Sequence, residues 1–271
     1  MRSLPVVEGQ LYTSVSQLKT WMLCPRRFEL RYVRGVPPAF LPVALAFGTA
    51  FHAAAGRFYS GVQSLGAPPT FEVLAQTFRD SWQTQLDGNV PLQADEDEDL
   101  GAIVDLGVRM LKVFEAHVAS RPVQVEAIEH AFAVALHDPD TGEVLDEKLV
   151  GFFDLVLREG ERRVIVELKT AAKKYSQDQL DYDLQPSAYK FAAMGLGWTD
   201  ASVRFSIITK TKVPAVQEVD LLRGPLAEND FLRTALGVLR AIDAGASYPV
   251  RGWQCRSCPF KAPCETVAVA S

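Results

Sequence analysis

Long hydrophobic runs are missing from this sequence of 271 residues. Its most apolar stretches are broken by charges or Pro well before the ~18 residues that a bilayer-spanning helix needs, which excludes a helical membrane protein. The first ten residues hold one Arg, then Pro5 and Glu8, with no apolar core of a secretory signal. The expected setting is therefore the cytoplasm, with no membrane partner. Cysteine is scarce as well, at four residues. That is too few for a disulfide-built miniprotein, and in a reducing compartment such thiols are more often free, buried or metal-bound. No internal repeat and no long low-complexity tract occurs. The Gly-x-x-x-x-Gly-Lys-Ser/Thr phosphate loop of nucleotide-driven helicases is absent, so any unwinding of nucleic acid must come from a partner. A strong charge of either sign is lacking too. The formal net charge of −5 arises locally, because Asp87, Asp95, Glu96, Asp97, Glu98 and Asp99 crowd into one stretch. Bulk charge thus neither supports nor excludes a DNA groove. The run 95–99 is expected to be a solvated loop.

What remains is ordinary globular composition, 48% hydrophobic, long enough to bury a core without covalent staples. Ser14 or Ser16 can cap a helix whose apolar face is Leu18, Trp21, Met22 and Phe28. Ala46, Ala50, Ala53, Ala54 and Ala55 suggest a close-packed helix over 44–59. Thr70 can cap a helix to about Leu86, and Ile103, Leu106, Val108, Leu111 and Phe114 mark another. From about Val123 the texture turns β-rich, with runs at Val125–Leu136, Leu149–Leu157, Val164–Leu168, Val203–Thr209 and Val216–Leu221. Helices are expected over Leu184–Met194 and, last, about Leu226–Ala244. The layout is an N-terminal helical region followed by a sheet with helices packed on it, which is α/β. It reads as a single domain over 1–271, with a helical insertion or cover at 60–120 and an α/β core at 122–221.

The chemistry concentrates in one expected hairpin. Gly151-Phe152-Phe153-Asp154-Leu155-Val156 and Val164-Ile165-Val166-Glu167-Leu168-Lys169 flank a polar turn. Alternation puts Val164, Val166 and Leu168 on one side, with Ile165, Glu167 and Lys169 on the other. A four-residue loop at 159–162 pairs Arg158 with Arg163 and sets Asp154 opposite Glu167, with Cβ atoms ~5 Å apart. Two carboxylates so close repel, and a divalent cation such as Mg²⁺ or Mn²⁺ removes the conflict. Lys169 on the same face can hold a water and stabilise phosphate charge. Glu-x-Lys is also common on plain solvated strands. Asp154 among Phe152, Phe153, Leu155 and Val156 is less easily explained that way.

All four cysteines fall into one pattern, Cys24 and Cys255-x-x-Cys258-x-x-x-x-x-Cys264. Four thiolates suit either Zn²⁺ or an iron–sulfur cluster, and spacing alone leaves both open. Either group would join the N- and C-terminal segments. Near Cys24 stand Arg26, Arg27, Arg31 and Arg34. On an α-helix Arg27, Arg31 and Arg34 share a face and are candidate phosphate contacts. Lys173, Lys174 and Tyr175 follow the Glu-x-Lys strand and could track a single strand. Lys210 and Lys212 are weaker candidates.

Gly151-x-x-Asp154 and Glu167-x-Lys169, with Gly48-Thr49-Ala50-Phe51-His52 before them and Gln185-x-x-x-Tyr189 after, resemble the PD-(D/E)XK nuclease superfamily. With the cysteines, the set is similar to the RecB-like branch that includes CRISPR-associated and AddB-type iron–sulfur exonucleases. The resemblance spans 14–264. It implies a restriction-endonuclease-like core of mixed β-sheet flanked by helices, with a [4Fe–4S] staple on Cys24, Cys255, Cys258 and Cys264, favoured over Zn²⁺. It implies His52 as a metal ligand beside Asp154, Glu167 and the Leu168 carbonyl, and Gln185 and Tyr189 beside the active site. The expected function is a metal-dependent DNA exonuclease acting at single-stranded ends, in DNA repair or CRISPR spacer acquisition. The alternative is a DNA-end-binding subunit of a larger complex with a helicase or CRISPR integrase partner.

Overall fold

A computed structural model describes residues 6–7, 9–94, 99–121 and 123–269. The acidic residues 95–98 lie outside the described residues. The chain opens with strands β1 (Val6–Val7) and β2 (Gln10–Thr13). Helix α1 (Val15–Leu23) follows, its N-terminus capped by Ser14, whose side chain accepts from the Gln17 N–H at 3.3 Å. A short α2 (Pro25–Phe28) runs into a π-helical turn, Glu29–Val33. After β3 (Leu41–Pro42) come α3 (Val43–Leu65), α4 (Phe71–Leu86), β4 (Leu92–Gln93) and α5 (Leu100–Ala119). Asp99, the described end of the acidic run, caps α5 through Gly101 N–H. Then follow β5 (Gln124–His137), β6 (Val144–Glu159), β7 (Arg162–Ala171), α6 (Gln177–Asp181), α7 (Leu184–Gly195), β8 (Ser202–Thr209), β9 (Val216–Leu221), α8 (Pro225–Asp243) and α9 (Lys261–Val269).

Seven strands form one mixed sheet in the order β1-β2-β6-β7-β8-β9, with β5 on the other edge of β6. β7 and β8 are parallel, joined by the α6–α7 crossover that a parallel pair requires. Helices cover both faces. On one, Phe47, Phe58, Phe78 and Phe114 of α3, α4 and α5 pack with Leu155, Leu157, Val164, Val166 and Leu168. On the other, Leu18, Ala188, Phe191, Phe231 and Leu239 of α1, α7 and α8 pack with Phe153, Val156, Ile165 and Val203. Burial on both sides is why β7 reads as a nearly continuous apolar run. Among the described residues, no helix is long and apolar enough to cross a membrane.

Three expectations change. The N-terminal region is not purely helical, because β1 and β2 join the sheet; runs of two and four residues leave too little alternation to read. The β6–β7 turn is two residues, Gly160 and Glu161, since Glu159 pairs with Arg162. Gly160 takes φ 61°, open to glycine without strain. The register is unchanged, with Arg158 opposite Arg163. Finally, α8 is not the last helix, for α9 follows it and carries Cys264.

The feature that positions the site is a fork on β6. β5 pairs along nearly all of one edge. On the opposite edge β2 pairs at Lys148 and Leu149, and β7 pairs only from Leu155 to Glu159. Between them residues 150–154 have no ladder partner on that edge. Gly151 is needed here for packing, because a Cβ on it would lie 2.6 Å from Cζ of the buried Phe132 ring. Gly151→Ala is therefore expected to destabilise the fold by about 1–3 kcal/mol, the usual cost of overfilling a core. Adding Phe132→Leu should recover a good part of that. Urea unfolding of the single and double variants checks it, and an unchanged midpoint for Gly151→Ala would show that the ring yields freely.

Candidate active site

Asp154 sits where β7 leaves β6. The Leu168 N–H, which a continuing ladder would have used, donates to Asp154 Oδ2 at 2.9 Å. Glu167, one residue past the last paired position, is 5% exposed. Both its oxygens are engaged: Lys169 Nζ donates to Oε1 at 2.5 Å, and the Tyr189 hydroxyl lies 2.7 Å from Oε2. Lys169 also donates to Gln185 Oε1 at 2.8 Å, and Gln185 Nε2 donates to the Tyr189 oxygen at 2.8 Å. Gln185 and Tyr189, one turn apart on α7, thus close a ring of hydrogen bonds around Glu167 and Lys169. The Tyr189 hydroxyl is also 2.8 Å from the Phe152 carbonyl, in the unpaired stretch of β6. Its single proton is shared between that carbonyl and the carboxylate. Asp183 fixes the start of α7, accepting from the Gln185 N–H at 2.8 Å and from Lys19 of α1 at 2.7 Å.

His52, on α3, reaches the same place from the opposite face. Its Nε2 is 3.0 Å from the Leu168 carbonyl oxygen, and its Nδ1 is 3.7 Å from Asp154 Oδ2. Burial lowers the His52 pKa, outweighing the attraction of Glu167, so the imidazole is neutral at pH 7. Burial, then the charge of Glu167, pushes Asp154 up to about 8. For Lys169, burial works to lower the pKa, but the Glu167 charge and its hydrogen bond hold it above the ordinary value. Lys169 is a cation here, suited to holding a water or a phosphate oxygen rather than to accepting a proton. Burial and then Glu167 raise the Tyr189 phenol well above its usual range.

Among the described residues, no three His, Cys, Asp or Glu side chains converge closely enough to hold a metal ion. Glu167 is shared among several partners: Lys169 and Tyr189 bond its oxygens, and its carboxyl also bonds to that of Asp154. The donor set nonetheless fits a hard divalent cation. Of the two carboxylates on adjacent strands, Glu167 is buried and Asp154 half-buried, and Asp154 is driven to keep its proton, a state that a cation relieves. The His52 Nε2 and Leu168 oxygen stand 3.0 Å apart. Two neighbouring ligands of an octahedral ion, each ~2.1 Å from it, stand at about that separation.

One acidic residue escaped the sequence reading. Glu129 on β5 has φ 48°, the one non-glycine residue with positive φ among those described. It lies between the pairs Ile128–Leu155 and His130–Phe153, at the strand position across from Asp154. Its charge also acts on His52. A Glu within an apolar strand was the available signal, but only pairing brings it across from Asp154.

The cysteines line a second cavity, without converging closely enough to hold an ion as they stand. Cys24, Cys255, Cys258 and Cys264 are free thiols that line one cavity of about 20 Å³, together with Arg27, Arg251 and Lys261. Burial pushes the Cys264 thiol up. Protein bonds already join the two segments: Arg26 N–H donates to Tyr248 O at 3.1 Å, and Ala39 N–H to Pro259 O at 3.0 Å. The expected arginine face is not present. The π-helical turn breaks the four-residue spacing, Arg27 lies at the cysteine cavity, and Arg31 stacks on Tyr32 at 5.0 Å. Lys173 and Lys174 are exposed beyond β7, and Lys210 lies 5.2 Å from the Phe47 ring.

The family model of the PD-(D/E)XK nuclease superfamily matches residues 12–265. The chain belongs to the PD-(D/E)XK nuclease superfamily. A solved structure of a candidate exonuclease from Eubacterium rectale superposes with TM-score 0.56, at 15% identity, covering 93% of this chain and 87% of that one. At that identity the likeness shows a shared fold. The solved structure of SSO0001 gives TM-score 0.39 at 14% identity, over 93% of this chain and 95% of that one. No curated protein matches the sequence. Within this PD-(D/E)XK protein, Asp154 and Glu167-Leu168-Lys169 occupy the sheet fork described above.

The protonation of Asp154 has a measurable consequence. Its folded pKa of about 8 lies above its ordinary 3.8, so the native state holds a proton that the unfolded chain releases between those values. That contribution is complete below the ordinary value and is lost as pH rises through about 8. The metal-free protein should lose stability across this window relative to Asp154→Asn, and Mn²⁺ should remove most of the difference. Thermal unfolding of both proteins from pH 5 to 9 tests it; parallel curves would place the Asp154 pKa near its ordinary value.

Proposed function

We propose that this protein is a divalent-metal-dependent deoxyribonuclease that removes nucleotides from single-stranded DNA ends. The observation that carries the reading is the closed ring of Glu167, Lys169, Gln185 and Tyr189 beside Asp154. This polar, buried assembly opens onto a cavity of about 850 Å³. His52, Asp154, Glu167 and the Leu168 carbonyl would hold Mg²⁺ or Mn²⁺, with neutral imidazole favouring Mn²⁺. Bound there, the ion would polarise the phosphodiester and lower the pKa of water.

The chain's own residues do the rest. Lys169, cationic and aimed by Gln185, donates to the attacking water or to a phosphoryl oxygen as charge builds there. Tyr189 keeps Glu167 from swinging away. α3 on one face and α7 on the other shield the carboxylates from bulk water, which strengthens each of these interactions. Lys173 and Lys174 would track the phosphates of the incoming strand. Action at ends accords with the description of the Eubacterium rectale relative as a candidate exonuclease.

The four cysteines would hold a [4Fe–4S] cluster that closes the chain between Cys24 and Cys255–Cys264. Arg27, Arg251 and Lys261 around the cavity suit the negative charge of four thiolates. One observation favours the second reading, Zn²⁺. At about 20 Å³ the cavity is nearer the size of one ion than of a cubane, roughly one water-sized sphere; the thiols would have to draw in around an ion, and a cubane requires residues 255–264 to move outward.

Glu167→Ala, Asp154→Ala and Lys169→Ala should each lower cleavage of end-labelled single-stranded DNA by at least ~100-fold, the scale of losing one electrostatic stabiliser. Mn²⁺ affinity should fall for the two carboxylate variants and much less for Lys169→Ala. Near wild-type cleavage by Glu167→Ala would place the active site elsewhere. For the cysteines, anaerobically purified protein should contain four irons with acid-labile sulfide and absorb near ~400 nm. Stoichiometric zinc without iron would assign the second reading, and Cys258→Ala should lower the unfolding midpoint in either case.

A further inference from the structure

A third cavity, of about 270 Å³, shares no lining residue with the other two. It lies between the start of β6, the β5–β6 turn and α8. α8 gives it Leu236, Leu239, Arg240 and Asp243, whose i, i+3, i+4, i+7 spacing keeps them on one helix face. On β6 the wall is a bulge. Between the pairs Ala135–Lys148 and His137–Val144, β5 has Leu136 alone, while β6 has Leu145, Asp146 and Glu147. Five acidic residues line the cavity, Asp138, Glu143, Asp146, Glu147 and Asp243, against one cation, Arg240. Asp138 is already met: Arg240 Nη2 donates to its Oδ2 at 3.1 Å, and the N–H groups of Asp140 and Thr141 donate to Oδ1 at 2.9 and 3.4 Å. Glu147 is in the opposite position. It is 6% exposed, and among the described residues no hydrogen bond or ion pair reaches its carboxyl group. A buried carboxyl without a donor is a costly arrangement, and on a cavity wall an incoming donor relieves it.

A metal ion is not the donor that this wall suits. Among the described residues, no three acidic, His or Cys side chains converge closely enough to hold one, so the negative charge is spread round the cavity. Spread charge suits an organic cation with several N–H donors, which reaches more than one carboxylate at once. The protein supplies one such group itself, the Arg240 guanidinium on Asp138, and leaves Glu147 without one. Leu145, Leu236 and Leu239 offer apolar cover to an aliphatic stem, the way Lys and Arg stems lie along apolar surface while their charged ends reach polar groups. The volume falls just under the ~300–1,000 Å³ of sites for drug-sized molecules and suits a single short chain. We propose that this cavity binds the ammonium or guanidinium end of a short alkyl chain, with Glu147 as its principal acceptor. The chain is the Lys or Arg side chain of a partner protein or a free diamine. The cavity is separate from the one beside Asp154 and Glu167, so the proposal does not depend on the nuclease reading.

Calorimetric titration of the full chain at constant ionic strength tests it, with agmatine, N-acetyl-arginine methylamide and tetramethylammonium as probes. The first two carry a guanidinium on an alkyl stem; the third carries charge without an N–H. At least one guanidinium probe should bind ~10-fold or more tighter than tetramethylammonium, the worth of one hydrogen bond to a charged group. Glu147→Gln, which keeps the size of the side chain, should remove that advantage, and Asp243→Asn, at an exposed position, should leave most of it. Glu147→Leu extends the apolar wall and should lose the advantage as well, so the test survives if one of the two variants fails to fold. Agmatine should also raise the unfolding midpoint of the unaltered protein and not that of either Glu147 variant. Tighter binding of agmatine than of the blocked arginine assigns a free diamine, whose second cation meets the acids at the rim. Equal or tighter binding of the blocked arginine assigns a partner's side chain. Three probes bound alike, or an advantage that persists without Glu147, would mean that the cavity holds only water and would overturn the proposal. Displacement of agmatine by an equal concentration of Mg²⁺ would make this a metal site and overturn it too.

Discussion

A carboxylate buried to the extent of Glu167 survives only if its charge is met, and the architecture around it follows from that demand. Lys169 supplies the opposite charge from the same strand, two residues on, where alternation returns a side chain to the same face. Lys169 is itself half-buried, and Gln185 provides it with a second acceptor. Gln185 then needs its amide used, and the Tyr189 oxygen accepts it. Each partner is held in place by the next, so the assembly is rigid only when complete. Asp154 stands just outside the ring and bears the cost, its carboxyl driven up to about 8 by burial and by Glu167. A divalent cation would relieve both acids at once.

The ring depends on the place where β6 and β7 part. Were the strands to stay paired past Leu155 and Val166, the Leu168 N–H would be spent on the ladder. The fork frees it for Asp154 and releases the Phe152 carbonyl to Tyr189. The same separation opens the cavity between β2 and β7. Aromatic packing stabilises the fork from below: Phe132 stacks on Phe153 at 4.7 Å, and Tyr189 meets Phe153 edge-on at 5.0 Å. Gly151 is small because Phe132 takes its space. The Gly-x-x-Asp spacing is thus a packing solution that sets the position of a functional acid.

The N-terminal segment serves two sites at once. β2 bounds one side of the cavity, α1 brings Gln17 to its far wall, and Lys19 secures the start of α7. One turn later Cys24 faces Cys255, Cys258 and Cys264. Bonds from Arg26 and Ala39 to the chain near Tyr248 and Pro259 tie these distant segments together independently of any bound group. A group on the cysteines would therefore reinforce an existing closure. Through α1, that closure bears on the cavity wall.

The hairpin and its register were legible because they are local. A short turn with Gly160 dictates the pairing sum, and strand alternation then puts Glu167 and Lys169 on one face; the Asp154–Glu167 pair expected from that sum is not in the ladder, because β7 leaves β6 after Leu155 and Val166. The helical pair Gln185 and Tyr189 follows from i, i+4 spacing, and the cysteine pattern stands out by clustering alone. Tertiary structure decided what no local rule reaches. β2 is a strand only because β6 offers it an edge. Glu129 reaches His52 with its charge only through the β5 pairing. Arg27 turns to the cysteines because a π-helical turn, whose bonds span five residues, replaced the α-helical spacing. Glu167 is held by Lys169 and by Tyr189 of α7, partners that its own strand supplies only in part. The cavity beside Asp154 and Glu167 exists because two strands leave the same edge of β6. Period and spacing encode which side chains share a face, whereas convergence between elements is set by packing over the whole chain.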